Sequence, residues 1–269
     1  MARGPSGETL RIGVVGLGVM GKNHARVLAE LTGITLAGVV DPDEAQVSFV
    51  TERLHCPGFS SIDQLIAAGV DAVTIAAPTH LHMEIALTCI DAGIHILVEK
   101  PIAHTVEEGR TIVEAAARAG VTLMVGHVER FNPAVEAVRK ALAGEDILSI
   151  QITRVGPFPP RMSNVGVVID LAVHDIDLIR WLTGSEIVDI QPQTNSIHAE
   201  REDIALLQFR TASNVLAHIN TNWLTPFKAR TLHVATRGKY VTGDLLTRQV
   251  TECFDYKPDG SYSMRHLPV

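Results

Sequence analysis

The sequence predicts an α/β protein in two parts, a doubly wound parallel sheet followed by an α+β region with a large, open, mainly antiparallel sheet. Three observations carry this. Glycines 16, 18 and 21 follow an apolar run and open a helical pattern. Strand-like and helix-like runs then alternate through the first half, the pattern of parallel strands with crossover helices. After Gly144 the rhythm changes to strand-like runs joined by short turns, several alternating polar and apolar residues, as in an antiparallel sheet with one covered face.

The leading stretch is L-R-I-G-V-V-G-L-G-V-M-G, Leu10 to Gly21. Ile12–Val15 reads as a buried strand. Gly16 permits a tight turn, Gly18 lets the backbone approach a pyrophosphate, and Gly21 lets the next helix pack closely while its N-terminus faces the anion. A second strand, Ile34–Val40, ends at Asp41, 20 residues beyond Gly21, the spacing of a carboxylate that holds an adenosine ribose. The motif predicts a dinucleotide-binding Rossmann domain. Further parallel strands are expected at Ala72–Ala76, Ile94–Val98 and Val121–Val125. Helices are expected at Val19–Leu31, Asp43–Leu54, Ile62–Ala68, His80–Ala92 and Val106–Ala119, with one more at Pro133–Leu142. Ligands of such sheets bind at the carboxyl ends of the strands, so Gly16–Gly21, Asp41, Ala77–His82, Glu99–Pro101 and Gly126–Asn132 are the segments to watch.

In the second region strands are expected at Ile147–Val155, Glu186–Thr194, Ile204–Phe209, Val215–Trp223, Thr231–Ala235 and Gln249–Phe254, with one helix at Val167–Leu182. The expected division is a flexible polar tail at 1–9, a dinucleotide-binding domain at 10–145, and a substrate-binding and oligomerisation domain at 146–269.

Composition narrows the classes. With 269 residues, 46% of them hydrophobic, the chain has length and apolar content for two domains. A net charge of −7 and the lack of any basic run argue against a nucleic-acid or polybasic membrane surface. The apolar runs are strand-length, too short for a transmembrane span, and residues 1–9 lack a signal peptide's apolar core. Cys56, Cys89 and Cys253 are odd in number and widely spaced, which suits reduced thiols in a cytoplasmic protein. No Cys/His cluster has zinc spacing, so no metal is expected.

Two constellations carry candidate chemistry. Glu99-Lys100-Pro101 follows the fifth expected strand, where a cofactor's reactive ring would lie, and Pro101 restricts the residue before it. An ordinary surface lysine in a turn suits the same residues. The helix from Val167 carries Asp170, His174 and Asp177 on one face beside the apolar stripe Ile169, Val173, Ile176. That arrangement suits a pocket edge, or a polar helix face with a hydrogen-bonded histidine.

The order of motifs resembles the Gfo/Idh/MocA family of nicotinamide-dependent oxidoreductases. The matching pieces are G-L-G-V-M-G (16–21), Asp41, A-A-P-T-H-L-H (76–82), V-E-K-P (98–101) and D-L-A-V-H-D-I-D (170–177), spread over nearly the whole chain. The resemblance implies a catalytic group of Lys100, Asp170 and His174. It implies NAD as cofactor, held by Gly16, Gly18, Val19, Met20, Gly21, Asp41, Ala77, Pro78, Thr79, His82, Glu99 and Lys100. The family often has Gly where this chain has Ala172.

Two further stretches, G-H-V-E-R-F-N-P-A-V (126–135) and R-V-G-P-F-P-P-R (154–161), resemble members that oxidise C3 of UDP-N-acetylglucosamine or a similar nucleotide sugar. On this likeness Glu129, Arg130, Asn132, Arg154 and Arg161 join Lys100, Asp170 and His174 as substrate-binding candidates. Arg154 and Arg161 suit a pyrophosphate; service at a domain interface is the other reading of these arginines. The implied function is reversible hydride transfer between NAD and a sugar hydroxyl. The alternatives are a dehydrogenase of a free sugar or an inositol-like polyol, a non-catalytic NAD-binding sensor, and an NAD-dependent glycosidase relative. Members of the family usually continue with further helices, so a C-terminally shortened chain is expected, and an open sheet face suggests a homo-oligomer.

Overall fold

The computed structural model describes residues 9–159 and 165–269. They fall into two compact units that divide after Gly126. The expected tail, apart from Thr9, lies outside the described residues.

The first unit runs β1 (Leu10–Val15), α1 (Val19–Glu30), β2 (Ile34–Val40), α2 (Glu44–Leu54), β3 (Gly58–Phe59), α3 (Ile62–Ala67), β4 (Ala72–Ile75), α4 (His82–Asp91), β5 (His95–Val98), α5 (Val106–Ala119) and β6 (Leu123–Val125). Its six strands lie in the order β3-β2-β1-β4-β5-β6, and every pairing is parallel. Alternate strand residues feed two apolar layers. Val14 and Val39 pack with Ala25 and Leu28 of α1 and Val50 of α2. Val15 and Val40 pack on the other face with residues of α3, α4 and α5 such as Leu65, Ile90 and Ile112. Helix ends are set locally. Asp43 caps α2 by accepting from the Ala45 amide, and Thr105 with Glu108 forms a reciprocal capping box on α5. The chain moves from β1 outward to β2 on one side and to β4 on the other, which opens a crevice at the carboxyl ends of β1 and β4.

The second unit holds α6 (Pro133–Ala141), β7 (Ile147–Pro157), α7 (Val173–Thr183), β8 (Ile187–Asn195), β9 (Ile204–Thr211), β10 (Leu216–Asn222), β11 (Leu224–Thr236), β12 (Lys239–Asp244), β13 (Gln249–Phe254) and β14 (Ser263–Leu267). A π-helical turn, Val168–Ala172, leads into α7. The sheet order is β14-β13-β12-β11-β7-β10-β9-β8; β7 and β10 are parallel and the other pairs antiparallel. Ile150, Ile152, Ile219 and Leu232 pack with Val135 and Val138 of α6 and with Leu178 and Ile179 of α7. On β9, Ala205, Leu207 and Phe209 turn inward while Leu206, Gln208 and Arg210 are exposed. Leu206, Leu216 and Ile190 leave apolar surface uncovered on the single chain.

The division after Gly126 corrects the boundary expected near residue 145. Helix α6 belongs to the second unit because its stripe Ala134, Val135, Ala137 and Val138 is buried against β12 and β13. Three strands were missed, β3, β12 and β14. β3 is two residues long, and Gly243 interrupts the β12 pattern at a point where a Cβ would come 3.2 Å from Val138 Cγ2. Among the described residues no helix is long and apolar enough to cross a membrane, no group of three or more His, Cys, Asp or Glu could hold a metal ion, and the three cysteines are unbridged.

Candidate active site

In the first unit the crevice at the switch point is built by the glycine loop. Gly16 has φ +88°, a conformation that costs glycine little, and a Cβ there would lie 2.5 Å from the Ala77 nitrogen. A Cβ on Gly21 would fall 1.7 Å from the Gly16 carbonyl oxygen, so helix and loop approach as closely as backbone allows. Nothing lies within 4 Å of the corresponding point on Gly18. As N-cap of α1, Gly18 brings no side chain to the first amides of the helix, which leaves that end open to an anion.

Asp41, at the end of β2, closes the other side. Its Oδ2 accepts from the Leu17 amide at 2.6 Å and its Oδ1 from the Asp43 amide at 2.9 Å, so the carboxylate is held beside the loop with lone pairs to spare for hydroxyl donors. The resulting cleft, about 810 Å³, is lined by Gly16, Gly18, Val19, Met20, Asp41 and Pro78, among others. Val19 is 70% exposed at its mouth. Ala77 and Pro78 form its wall after β4, and Thr79 begins a 3-10 turn beside them. Open amides, a fixed carboxylate and apolar walls fit a dinucleotide.

His82 does not join this surface, which corrects its expected cofactor contact. It is 1% exposed, with Nδ1 3.0 Å from the Pro101 carbonyl and Nε2 2.8 Å from the Ala77 carbonyl. The ring is held between a carbonyl of the segment after β4 and one of the segment after β5.

Glu99, at the end of β5, is 7% exposed. Its Oε1 meets His24 Nε2 of α1 at 2.7 Å, and its Oε2 accepts from the Lys100 amide at 3.2 Å. A Cβ on Gly126 would come 3.2 Å from the carboxylate carbon, so that neighbour has to be small. Burial pushes the Glu99 carboxyl up, but the His24 hydrogen bond and charge, with the Lys100 amide and ammonium, outweigh it and hold the group below the ordinary glutamate value. Lys100 itself is half-buried, and its peptide bond to Pro101 is cis. Sequence reasoning missed His24. The signal was its place three residues after Gly21 on the packed side of α1, where Gly21, Ala25 and Leu28 are buried.

In the second unit the π turn and α7 carry Asp170 and His174, both half-buried. A π turn inside a helix often marks a functional site. Asp177, one turn on, accepts from Arg130 Nε at 2.7 Å and Nη2 at 2.5 Å, and His127 Nε2 stands 3.6 Å away.

Arg154 corrects the expectation of a pyrophosphate contact. Its side chain is 2% exposed and turns into the covered face. There it donates through Nε and Nη2 to Asp175 at 2.9 and 2.8 Å, and through Nη1 to Glu129 at 2.8 Å. Burial works against its charge, but the two carboxylates prevail and hold the guanidinium above its ordinary value. Glu129 and Asn132 are corrected with it. Burial raises the Glu129 carboxyl, yet Arg154 and the Asn132 amide bring it below its ordinary value, and Arg230 stands 3.4 Å away. Asn132 donates to Glu129 and to the Leu245 carbonyl while its Oδ1 caps α6. These groups serve the interior of the unit. Arg130 keeps part of its side chain exposed. Arg161 lies outside the described residues.

Comparison with known proteins agrees with this architecture. The profile of the GFO/IDH/MocA oxidoreductase family with NAD-binding Rossmann fold matches residues 10–127, and that of the GFO/IDH/MocA C-terminal domain matches residues 137–241. The chain is 32% identical over 237 residues to a UDP-N-acetylglucosamine 3-dehydrogenase from Acidithiobacillus ferrooxidans, covering 88% of this chain and 74% of that one. It is 34% identical over 226 residues to inositol 2-dehydrogenase 2 from Saccharopolyspora erythraea, covering 78% of this chain and 66% of that one. The solved structure of the A. ferrooxidans enzyme superposes with a TM-score of 0.88 at 30% identity, over 97% of this chain and 83% of that one. With the glycine loop, Asp41 and the second, mainly antiparallel sheet all in place, the chain belongs to the GFO/IDH/MocA family of NAD-binding oxidoreductases and is a dehydrogenase.

Proposed function

We propose that the protein oxidises, reversibly, a hydroxyl of a sugar, namely C3 of a nucleotide sugar of the UDP-N-acetylglucosamine type. The observation that carries this is the extent of similarity to UDP-N-acetylglucosamine 3-dehydrogenase, which reaches 88% of the chain. The burial of Arg154 removes one residue-level argument for a pyrophosphate, so the nucleotide part rests on that similarity. Similarity to inositol 2-dehydrogenases, at 34% identity, favours a cyclitol as the second reading.

Lys100, Asp170 and His174 are the proposed catalytic group. NAD, when bound, supplies the hydride acceptor. His174 takes the hydroxyl proton on its imidazole, a base suited to near-neutral pH. Lys100 donates a hydrogen bond to the same oxygen and stabilises the negative charge that grows there. Asp170 orients a substrate hydroxyl or the His174 ring. The amides at the start of α1 and the Asp41 carboxylate hold the pyrophosphate and adenosine ribose. The uncovered face with Leu206 and Leu216 supports a homo-oligomer, which sedimentation equilibrium checks.

The test is reduction of NAD, followed by absorbance, with UDP-N-acetylglucosamine, free N-acetylglucosamine and myo-inositol compared by kcat/KM. The nucleotide sugar is expected to lead. A higher value for myo-inositol establishes the second reading, and sugar cleavage products formed without added NAD would point to a glycosidase relative.

A further inference from the structure

The segment that starts the Asp170–His174 helix is held from outside the helix by one residue of the β8–β9 connection. The Val167 amide donates to the Glu202 carbonyl at 2.8 Å, and the Val168 amide donates to Glu202 Oε1 at 3.3 Å. Gly166 precedes them, and a Cβ there would fall 1.9 Å from the same Oε1. The Asp170 amide then donates back to the Gly166 carbonyl at 3.0 Å. The anchor is itself fixed. Asp203, next in the chain, accepts from the amides of Ile197, His198 and Ala199 at 2.9, 2.6 and 3.2 Å, and its carbonyl accepts from the Trp223 amide at 2.9 Å. The 196–203 connection is thus a shaped loop, and it presents Glu202 to the first turn of the site helix.

The first amides of a helical segment have no acceptor within it, so the start of this one depends on partners outside it. An acidic side chain at a helix start satisfies amides that have no partner within the helix. We infer that Glu202 is a positioning residue for the reaction. Its carbonyl and carboxylate fix residues 167 and 168, and through them the axial position and rotation of Asp170 and His174. Gly166 is part of the device, because only a residue without a side chain leaves the carboxylate its place. The functional half of this inference rests on the proposed roles of Asp170 and His174; the anchoring half does not.

Four variants test it in the full chain: Glu202→Ala, Glu202→Gln, Gly166→Ala and the double Gly166→Ala/Glu202→Ala. Two readouts are taken, hydrogen–deuterium exchange of the peptide spanning 166–175, and kcat with the Kd for NADH. In Glu202→Ala the peptide is expected to exchange faster. Its kcat is expected to fall roughly tenfold, within the range seen when a reacting group is misplaced by a fraction of an ångström to one ångström. The Kd for NADH stays within about twofold, since the proposed cofactor contacts belong to the other unit. The methyl of Gly166→Ala meets the far end of a flexible side chain, so it displaces the carboxylate and reproduces the same loss. The double variant is then no worse than either single one, a non-additivity that marks a shared interaction. Glu202→Gln retains an oxygen acceptor and restores both readouts. Unchanged exchange in Glu202→Ala overturns the anchor whether or not a substrate is known. Faster exchange with unchanged kcat, or losses that add in the double variant, overturns the positioning role. A wild-type protein inactive on every sugar and polyol tested counts against the proposed reaction and leaves the exchange result to decide the anchor.

Discussion

His24 Nε2 lies 2.7 Å from Glu99 Oε1, a contact that joins the helix after the glycine loop to the strand end that bears Lys100. The two residues stand 75 positions apart in sequence, and both side chains are largely buried. The contact therefore couples the loop proposed to hold the pyrophosphate to the proposed catalytic lysine within one unit. His24→Ala leaves a buried carboxylate short of its partner. The expected cost is about 1–3 kcal/mol of stability, with weaker NADH binding; urea unfolding and a fluorescence titration check both.

The same pair gives a pH dependence with a definite sign. The folded-state pKa of Glu99 is depressed, so its contribution is present above the unfolded value and is lost as pH falls through the folded one. The melting temperature of Glu99→Gln is expected to lie below that of the wild type at neutral pH. The gap should narrow as the solution is acidified below the ordinary glutamate range. A gap that widens on acidification would contradict the assignment.

Arg154 decides between an interior and a ligand-binding arginine. Removing one partner of a buried ionic network leaves uncompensated charge, here Asp175 at 0% exposure. Arg154→Ala is expected to cost about 3–5 kcal/mol of stability. Any loss of activity then tracks unfolding. A pyrophosphate contact makes the opposite forecast, a raised KM for the nucleotide sugar with little change in the unfolding midpoint. Denaturant unfolding and steady-state kinetics on the same preparation separate the two.

The signals for the first unit were local, which is why so much of it could be read from sequence. Glycine spacing, a carboxylate after the second strand, and helix caps such as Thr105 with Glu108 each act within a few residues. The contacts that were missed join distant elements: His24 to Glu99, Arg154 to Asp175, Val168 to Glu202. The Arg154–Asp175 contact was nevertheless coded at both ends. Arg154 shares the period-two register of Ile150 and Ile152, both buried, so strand parity pointed it inward while its charge suggested a ligand. Asp175 lies three and four residues before Leu178 and Ile179 and three after Ala172, all buried, which put it on the core face of α7. Asp170 and His174 were readable as a pair, but the π turn that carries Asp170 was not, because its start relies on Glu202 from another loop.

Cofactor choice follows from two carboxylates after β2. As the proposed acceptor for the adenosine ribose hydroxyls, Asp41 would repel a 2′-phosphate. Asp43 already occupies the N-terminus of α2, accepting from the Ala45 amide at 2.9 Å, so that helix end has no vacancy for a phosphate. NADH is expected to bind at least tenfold more tightly than NADPH, about 1.4 kcal/mol. Asp41→Ser should narrow the ratio by removing the charge. Titration of both reduced cofactors by fluorescence checks this, and tighter binding of NADPH by the wild type would falsify it.

Lys100 offers the most direct test of the proposed chemistry. Its proposed task is set in the transition state, where the substrate oxygen would gain negative charge as it loses its proton. An ammonium group aimed at that oxygen is worth most at that moment and little in the ground state. Lys100→Ala is therefore expected to lower kcat by roughly 100-fold or more, about 3 kcal/mol, as when one oxyanion donor is lost. The Kd for NADH should change little, because the proposed pyrophosphate and ribose contacts are Gly16–Gly21 and Asp41. Lys100→Arg should not restore the rate, since a planar fork cannot replace a compact point charge in a confined place. A solvated lysine in a turn forecasts near wild-type turnover for both variants. Half-burial of Lys100, and a buried Glu99 whose carboxyl is lowered in part by the Lys100 charge, argue for the first outcome. Steady-state kinetics with the best substrate decides it, and a kcat for Lys100→Ala within threefold of wild type removes Lys100 from the catalytic group.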